Sequence, residues 1–255
     1  MTRGLRLLRL GGTGPNLLLI HGFGADRMTW LANQDVLLQS SSVFVCDLPA
    51  HGEQPPLAEA MTISRMVDEL ISQLQLWSEP FVLVGHSLGG AIAIEVAARR
   101  PNLVAALALI APAGLGTGID RDFVVGFSAL ADIDSALALL RRLVARPRLI
   151  TPHIALRVIE HLDRSGVRSA MRVLGDQLIQ VDTSIKPHVA SVALSKIPRV
   201  VIWGEDDQIN PIDRSKLATF NTQMIALPNT AHLPHIEASK VVNEHLSQFL
   251  KASLH

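Results

Sequence analysis

A serine at 87, three carboxylates at 205–207 and a histidine at 232 are residue types that together can activate a hydroxyl. Ser87 lies in FVLVGHSLGGAIAIEVAARR (81–100), between Gly85 and Gly89. Four apolar residues lead into it and a helix-like run leads out. A strand, a tight turn and a helix around G-x-S-x-G hold a serine hydroxyl clear of the carboxyl edge of a sheet. Side chains at 85 and 89 would collide with the adjoining strand and helix, and Gly90 extends that pattern. A lone serine hydroxyl is a weak nucleophile; it needs a base to take its proton and an acid to orient the base. Downstream, VVIWGEDDQINP (200–211) sets Glu205, Asp206 and Asp207 directly after an apolar run. LPNTAHLPHIE (227–237) then sets His232 in a short loop.

These groups need a scaffold that brings distant segments together. Apolar runs at 16–21, 42–48, 81–86, 104–111 and 199–204 read as strands, continuous enough in apolar character to be covered on both faces. Residues 62–77 read as a helix capped by Thr62, with Ile63, Met66, Val67, Leu70, Ile71 and Leu74 on one face. Further helices are expected at 88–100, stopping before Pro101, and at 238–252. Alternation of this kind gives an α/β fold with a mainly parallel sheet and helices on both faces. From Gly114 to Val192 the strand rhythm lapses and helix-like segments take over. The expected organisation is a core of residues 1–113 and 193–255 with a helical cap inserted at 114–192.

Composition excludes several roles. The 255 residues carry 23 basic and 23 acidic side chains, and no basic tract interleaves with aromatics, so nucleic acid is not the expected partner. No apolar run reaches the roughly 18 residues of a membrane span. The first residues, MTRGLRLLRLGG, lack the pattern of a secretory leader. A cytoplasmic location is therefore expected. The single cysteine, Cys46, reads as a buried, inert thiol. His232 and His235 form an HxxH pair without a third ligand, so no metal is expected. No cofactor is implied.

The chain resembles the α/β-hydrolase superfamily along nearly its whole length. The resemblance rests on the serine turn, on G-x-x-D-x-x-x-P matched by Gly204, Asp207 and Pro211, on AHLPHIE around His232, and on HGFG (21–24) after the first apolar run. DLPAHGEQ (47–54) is similar to the family's D-x-P-G-H-G-x-S loop, with Ala50 and Gln54 as departures. The resemblance implies Ser87 as nucleophile, His232 as general base, Asp207 as acid with Asp206 as the alternative after a one-residue shift, and the N–H groups of Phe23 and Leu88 as oxyanion donors. A narrower likeness exists in LLLIHGFGADRMTW (17–30) and LIAPAGLGTGI (109–119), which are similar to the hydrolase-like domain of the acyltransferase component of bacterial acetoin dehydrogenase complexes. A lipoyl domain usually precedes that domain, and only a strand's worth of residues precedes HGFG here.

Serine at the turn argues against dehalogenase and epoxide hydrolase chemistry, which use a carboxylate nucleophile. Leu233 after the histidine departs from the tryptophan of ring-fission carbon–carbon hydrolases. The expected activity is serine hydrolysis of a small-molecule carboxyl ester or thioester through an acyl-enzyme. The alternatives are acyl transfer beside a dehydrogenase complex partner, and a non-catalytic ligand receptor on the same fold. His86 is expected to be structural and directed away from the nucleophile. His21 and His51 are expected to brace loops, and His235 to line the pocket or start a helix. Nine arginines and eight acidic residues mix through 114–192, which reads as a solvated face. Arg168 and Arg172 share one side there and could meet an anionic substrate group.

Overall fold

Alternate residues of the apolar run at 16–20 serve two different cores. Leu17 and Leu19 pack with Trp30, Leu37, Val242 and Leu246, whereas Leu18 and Ile20 pack with Phe44, Leu83, Ile92 and Met66. That period of two is the signature of a strand covered on both faces. The computed structural model describes residues 4–57 and 61–253. Its sheet has seven strands: β1 (Leu8–Gly11), β2 (Asn16–Ile20), β3 (Ser42–Val45), β4 (Phe81–His86), β5 (Val104–Ile110), β6 (Arg199–Gly204) and β7 (Gln223–Leu227). Their order is β1-β3-β2-β4-β5-β6-β7. β1 runs antiparallel to β3, and every other pairing is parallel.

All five expected strands are present. β3 stops at Val45 rather than 48, and Cys46–Leu48 leave the ladder as loop. The two strands outside the expected five, β1 and β7, are the sheet's edges and are only partly buried. Edge strands need no continuous apolar run, so their signal is faint. The seven-residue helix α1 (Leu31–Leu37) was missed for a similar reason: only Asn33 and Leu37 are buried.

Helix α2 (Ile63–Leu74) buries all six residues of its expected stripe, and Thr62 Oγ1 accepts from Arg65 N at 3.1 Å. Helix α3 (Leu88–Arg99) follows β4 at once and ends before Pro101. Among the described residues, 114–192 contains no strand. It holds α4 (Arg121–Ala129), α5 (Ile133–Leu140), α6 (Pro152–Leu162), α7 (Val167–Ile179) and α8 (Val181–Leu194). Polar ties fasten this segment to the sheet-bearing part. Gln177 Nε2 donates to Met61 O at 2.6 Å, and Lys216 Nζ donates to Gly116 O at 2.6 Å. α9 (Arg214–Phe220), the short α10 (Pro234–Glu237) and α11 (Ser239–Ser253) complete the chain. No helix among the described residues is long and apolar enough to cross a membrane.

The strand order locates the crevice. The chain moves from β2 outward to β3, then returns past β2 to β4, so the connections leaving β2 and β4 part to opposite sides. In an open parallel sheet a ligand crevice opens at that switch point, beyond the carboxyl ends of the strands. The loop after β2 holds HGFG, and the turn after β4 holds Ser87.

Candidate active site

Ser87 has φ +50° and ψ −113°, a conformation that side chains rarely adopt. Its neighbours hold it there. Ser87 N donates to Ile110 O at 3.0 Å, and Ser87 O accepts from Ala113 N at 3.0 Å. Glycine is needed on both sides because the main chains nearly touch. A Cβ on Gly85 would lie 2.4 Å from Gly89 O, and one on Gly89 would lie 2.3 Å from Ile20 O. Leu88 is the first residue of α3, so its N–H has no acceptor within the helix.

The acid is buried and fully ligated. Asp207 Oδ1 accepts from Ile209 N and Asn210 N, both at 2.9 Å. Asp207 Oδ2 accepts from Trp203 Nε1 at 3.0 Å and from His232 Nδ1 at 2.8 Å. A carboxylate only accepts, so Nδ1 carries the proton in that bond and the neutral ring keeps its lone pair on Nε2. Glu205 and Asp206 are exposed at the surface, so Asp207 is the carboxylate that meets His232.

Phe23, Ser87 and His232 line one cavity of about 90 Å³. Its remaining walls are chiefly apolar, and Phe123, Phe127, Leu140, Leu143 and Leu178 of the 114–192 segment supply much of them. Among the described residues, no Lys, Arg, Asp or Glu lines it. Phe127 lies across the loop after β2: its ring centroid is 5.1 Å from that of Phe23, and a Cβ on Gly24 would meet its ring at 2.4 Å.

The histidines expected around the turn meet mixed outcomes. His86 is structural, as expected, but is not directed away from the site. It borders the cavity, its Nε2–H donates to His232 O at 2.8 Å, and the two rings lie 4.9 Å apart. His235, expected to line the pocket or start a helix, does the second. It sits in the first turn of α10, fully buried, with Nε2 3.0 Å from Thr29 Oγ1 and its ring 4.6 Å from Trp30. Arg168 is held by Asp163 and Ser128 O. Trp203 was missed altogether; its indole donor is invisible in an apolar run that already reads as strand.

The loop-bracing expectation for His21 holds. His21 Nε2 accepts from Leu48 N at 2.9 Å, which leaves Nδ1–H to donate to Gly22 O at 2.8 Å. His51 Nδ1 lies 2.9 Å from Pro49 O, within the same loop. Ala50, the departure from the family's glycine, keeps the conformation that glycine favours, φ +64°. Burial above all holds these rings neutral: it lowers His21, and pushes His51 and His86 well below the usual histidine value. His235 falls to about 3, through burial first and the adjacent His232 second. Burial likewise pushes the Cys46 thiol up to about 12, which makes it an inert core residue.

Comparison with known proteins agrees with this fold. Residues 17–245 match the model of the Alpha/beta hydrolase family. A dihydrolipoyllysine-residue acetyltransferase component of the acetoin cleaving system from Pseudomonas putida is 33% identical over 249 residues. That alignment covers 97% of this chain, which spans only 66% of the relative's length. A monoacylglycerol lipase from Bos taurus is 25% identical, over 96% of this chain and 77% of that protein. The solved structure of a meta-cleavage product hydrolase from Pseudomonas fluorescens superposes with a TM-score of 0.83 at 20% identity, covering 97% of this chain and 94% of that one.

Proposed function

The chain belongs to the alpha/beta hydrolase family, and from that premise we propose that it is a serine hydrolase acting on a small, uncharged carboxyl ester or thioester. Ser87 Oγ attacks the carbonyl carbon while His232 Nε2 takes its proton. Asp207 holds the ring's tautomer and stabilises the imidazolium. The N–H groups of Phe23 and Leu88 receive the oxyanion, each such donor being worth about 3 kcal/mol of barrier. Collapse expels the alcohol or thiol, which takes the proton from His232 and leaves an acyl-Ser87 ester. Water then repeats the sequence and frees the acid. Residues 114–192 act as the cap over the acyl group.

The observation that carries this reading is the buried 2.8 Å bond from His232 to Asp207, with Ser87 on the same cavity wall as His232. The substrate class follows from the lining. A charged acyl group would lose its hydration there with no ion to pair with, which is costly. The test is a panel of esters and thioesters graded by acyl length, run on the wild type and Ser87→Ala, with intact-mass detection of a serine-directed phosphonate. Wild-type protein that neither labels nor turns over any member would refute the proposal. Ligand binding unchanged by Ser87→Ala, with no turnover, would favour a receptor.

The relative from Pseudomonas putida favours a second reading, acyl transfer to a thiol beside a dehydrogenase complex. An acyl-Ser87 that passes its acyl group to an added dithiol faster than to water would support transfer over hydrolysis.

A further inference from the structure

The main chain of His232 is gripped on every polar group, and one grip comes from the 114–192 segment. His232 N–H donates to Leu143 O at 3.0 Å, and His232 O accepts from His86 Nε2 at 2.8 Å. The residue before it, Ala231, donates its N–H to Glu237 Oε1 at 2.8 Å. The other oxygen of that carboxylate, Oε2, accepts from Ala145 N–H at 2.8 Å. Arg146 closes the set by donating from its guanidinium to Glu237 O. Glu237 is only 7% exposed, and both its oxygens are spent on backbone donors from two separate parts of the chain.

We propose that Glu237 is a positioning residue that fastens the Leu143–Arg146 segment to the histidine loop and so sets the aim of the His232 ring. The inference deepens the proposed function and rests on it. A carboxylate is suited to the task because it accepts in two directions, and its bonds to N–H groups are charge-assisted. A glutamine offers one oxygen and an NH2 group, so it must leave one buried N–H facing another donor. Leu143 also lines the cavity. The clamp therefore ties the wall beside the acyl group to the base that acts on it, and a displaced segment would carry the ring with it.

The test uses the full chain and two variants, Glu237→Gln and Arg146→Ala. The first replaces the carboxylate; the second removes only the guanidinium bond to Glu237 O. Three readouts are taken: the rate of phosphonate labelling, kcat and KM for p-nitrophenyl acetate, and the low-field proton resonance of His232 Nδ1–H. For Glu237→Gln, labelling and kcat should fall on the order of 10- to 100-fold, the cost of misplacing a reacting group by about 1 Å. KM should change little, and the ring-proton resonance should shift or broaden. Arg146→Ala should move the same readouts in the same direction by less. A purely structural carboxylate would lower the melting temperature without moving the resonance or the labelling rate. Folded Glu237→Gln with wild-type labelling and an unshifted resonance would overturn the clamp. If Glu237→Gln does not fold, the same wild-type values in Arg146→Ala overturn it. Wild-type protein that never labels strikes instead at the serine mechanism, and the resonance comparison still decides the clamp.

Discussion

Trp203 Nε1–H, shared with Asn210 O, donates to Asp207 Oδ2 at 3.0 Å, and that same oxygen accepts a hydrogen bond from His232 Nδ1–H at 2.8 Å. The indole therefore fixes the oxygen against which the imidazole is aligned. Asp207→Asn would present a donor to Nδ1 and invert the tautomer, so kcat on the preferred ester should fall on the order of 10⁴-fold. Trp203→Phe keeps the carboxylate but removes one of its four donors. A loss of about 1.5 kcal/mol, roughly tenfold in kcat, is expected. Equal losses in the two variants would show that the indole does more than align the acid.

Strain at the serine should be visible in stability. Ser87 holds φ +50°, which glycine adopts freely. Ser87→Gly should abolish labelling while stabilising the fold by about 1 kcal/mol, a rise of roughly 2–4 °C in melting temperature for a chain of this size. A variant that melts lower than wild type would contradict this account of the turn.

Phe127 should limit acyl length. Its ring closes over Gly24 and borders the cavity with Phe23. Phe127→Ala should move the optimum of kcat/KM to longer chains, with discrimination between neighbouring lengths changing on the order of tenfold. The lost core contact should cost about 3–5 kcal/mol of stability. An unchanged length profile would place the acyl group elsewhere.

Acid should unfold the protein earlier than its carboxylates alone would. His21, His51, His86 and His235 are buried, and burial lowers each below the ordinary histidine value of about 6.5. Below pH 6.5 the unfolded chain takes up protons that the folded chain refuses, so acid favours unfolding. Above that value both states are neutral and the effect vanishes. Each ring should cost up to about 1.4 kcal/mol per pH unit within its window. Urea midpoints should be flat above pH 6.5 and fall below it. His235, held down to about 3, contributes from pH 6.5 down to about that value. A flat profile through the first unit below 6.5 would refute this.

The fold was legible where one short segment carries the whole signal. The five inner strands read directly because burial on both faces demands unbroken apolar runs. The serine turn read directly because Gly85, Ser87 and Gly89 are a local steric solution. Edge strands β1 and β7 did not, since a half-exposed strand tolerates mixed residues. The supports of the site were the least legible. Trp203 and His86 each act through one ring nitrogen, on partners 4 and 146 residues away, and one of the two Glu237 carboxylate oxygens reaches a partner 92 residues away. No periodicity or composition marks such a bond. AHLPHIE contains Glu237 in plain view, yet nothing in the sequence says that its carboxylate reaches Ala145.

The acid and the base hang from the last two strands of the sheet, and β7 is an outer one whose first residue is exposed and whose next three are half-buried. Pairing of β7 with β6 runs from Val200–Gln223 to Gly204–Leu227, ending where the segments that bear Asp207 and His232 depart. Peeling of that margin would strand Ser87 without its base while β2, β4 and β5 stayed intact. Catalytic competence would then vanish before the bulk of the molecule melts, and covalent labelling would gauge the integrity of one border of the sheet.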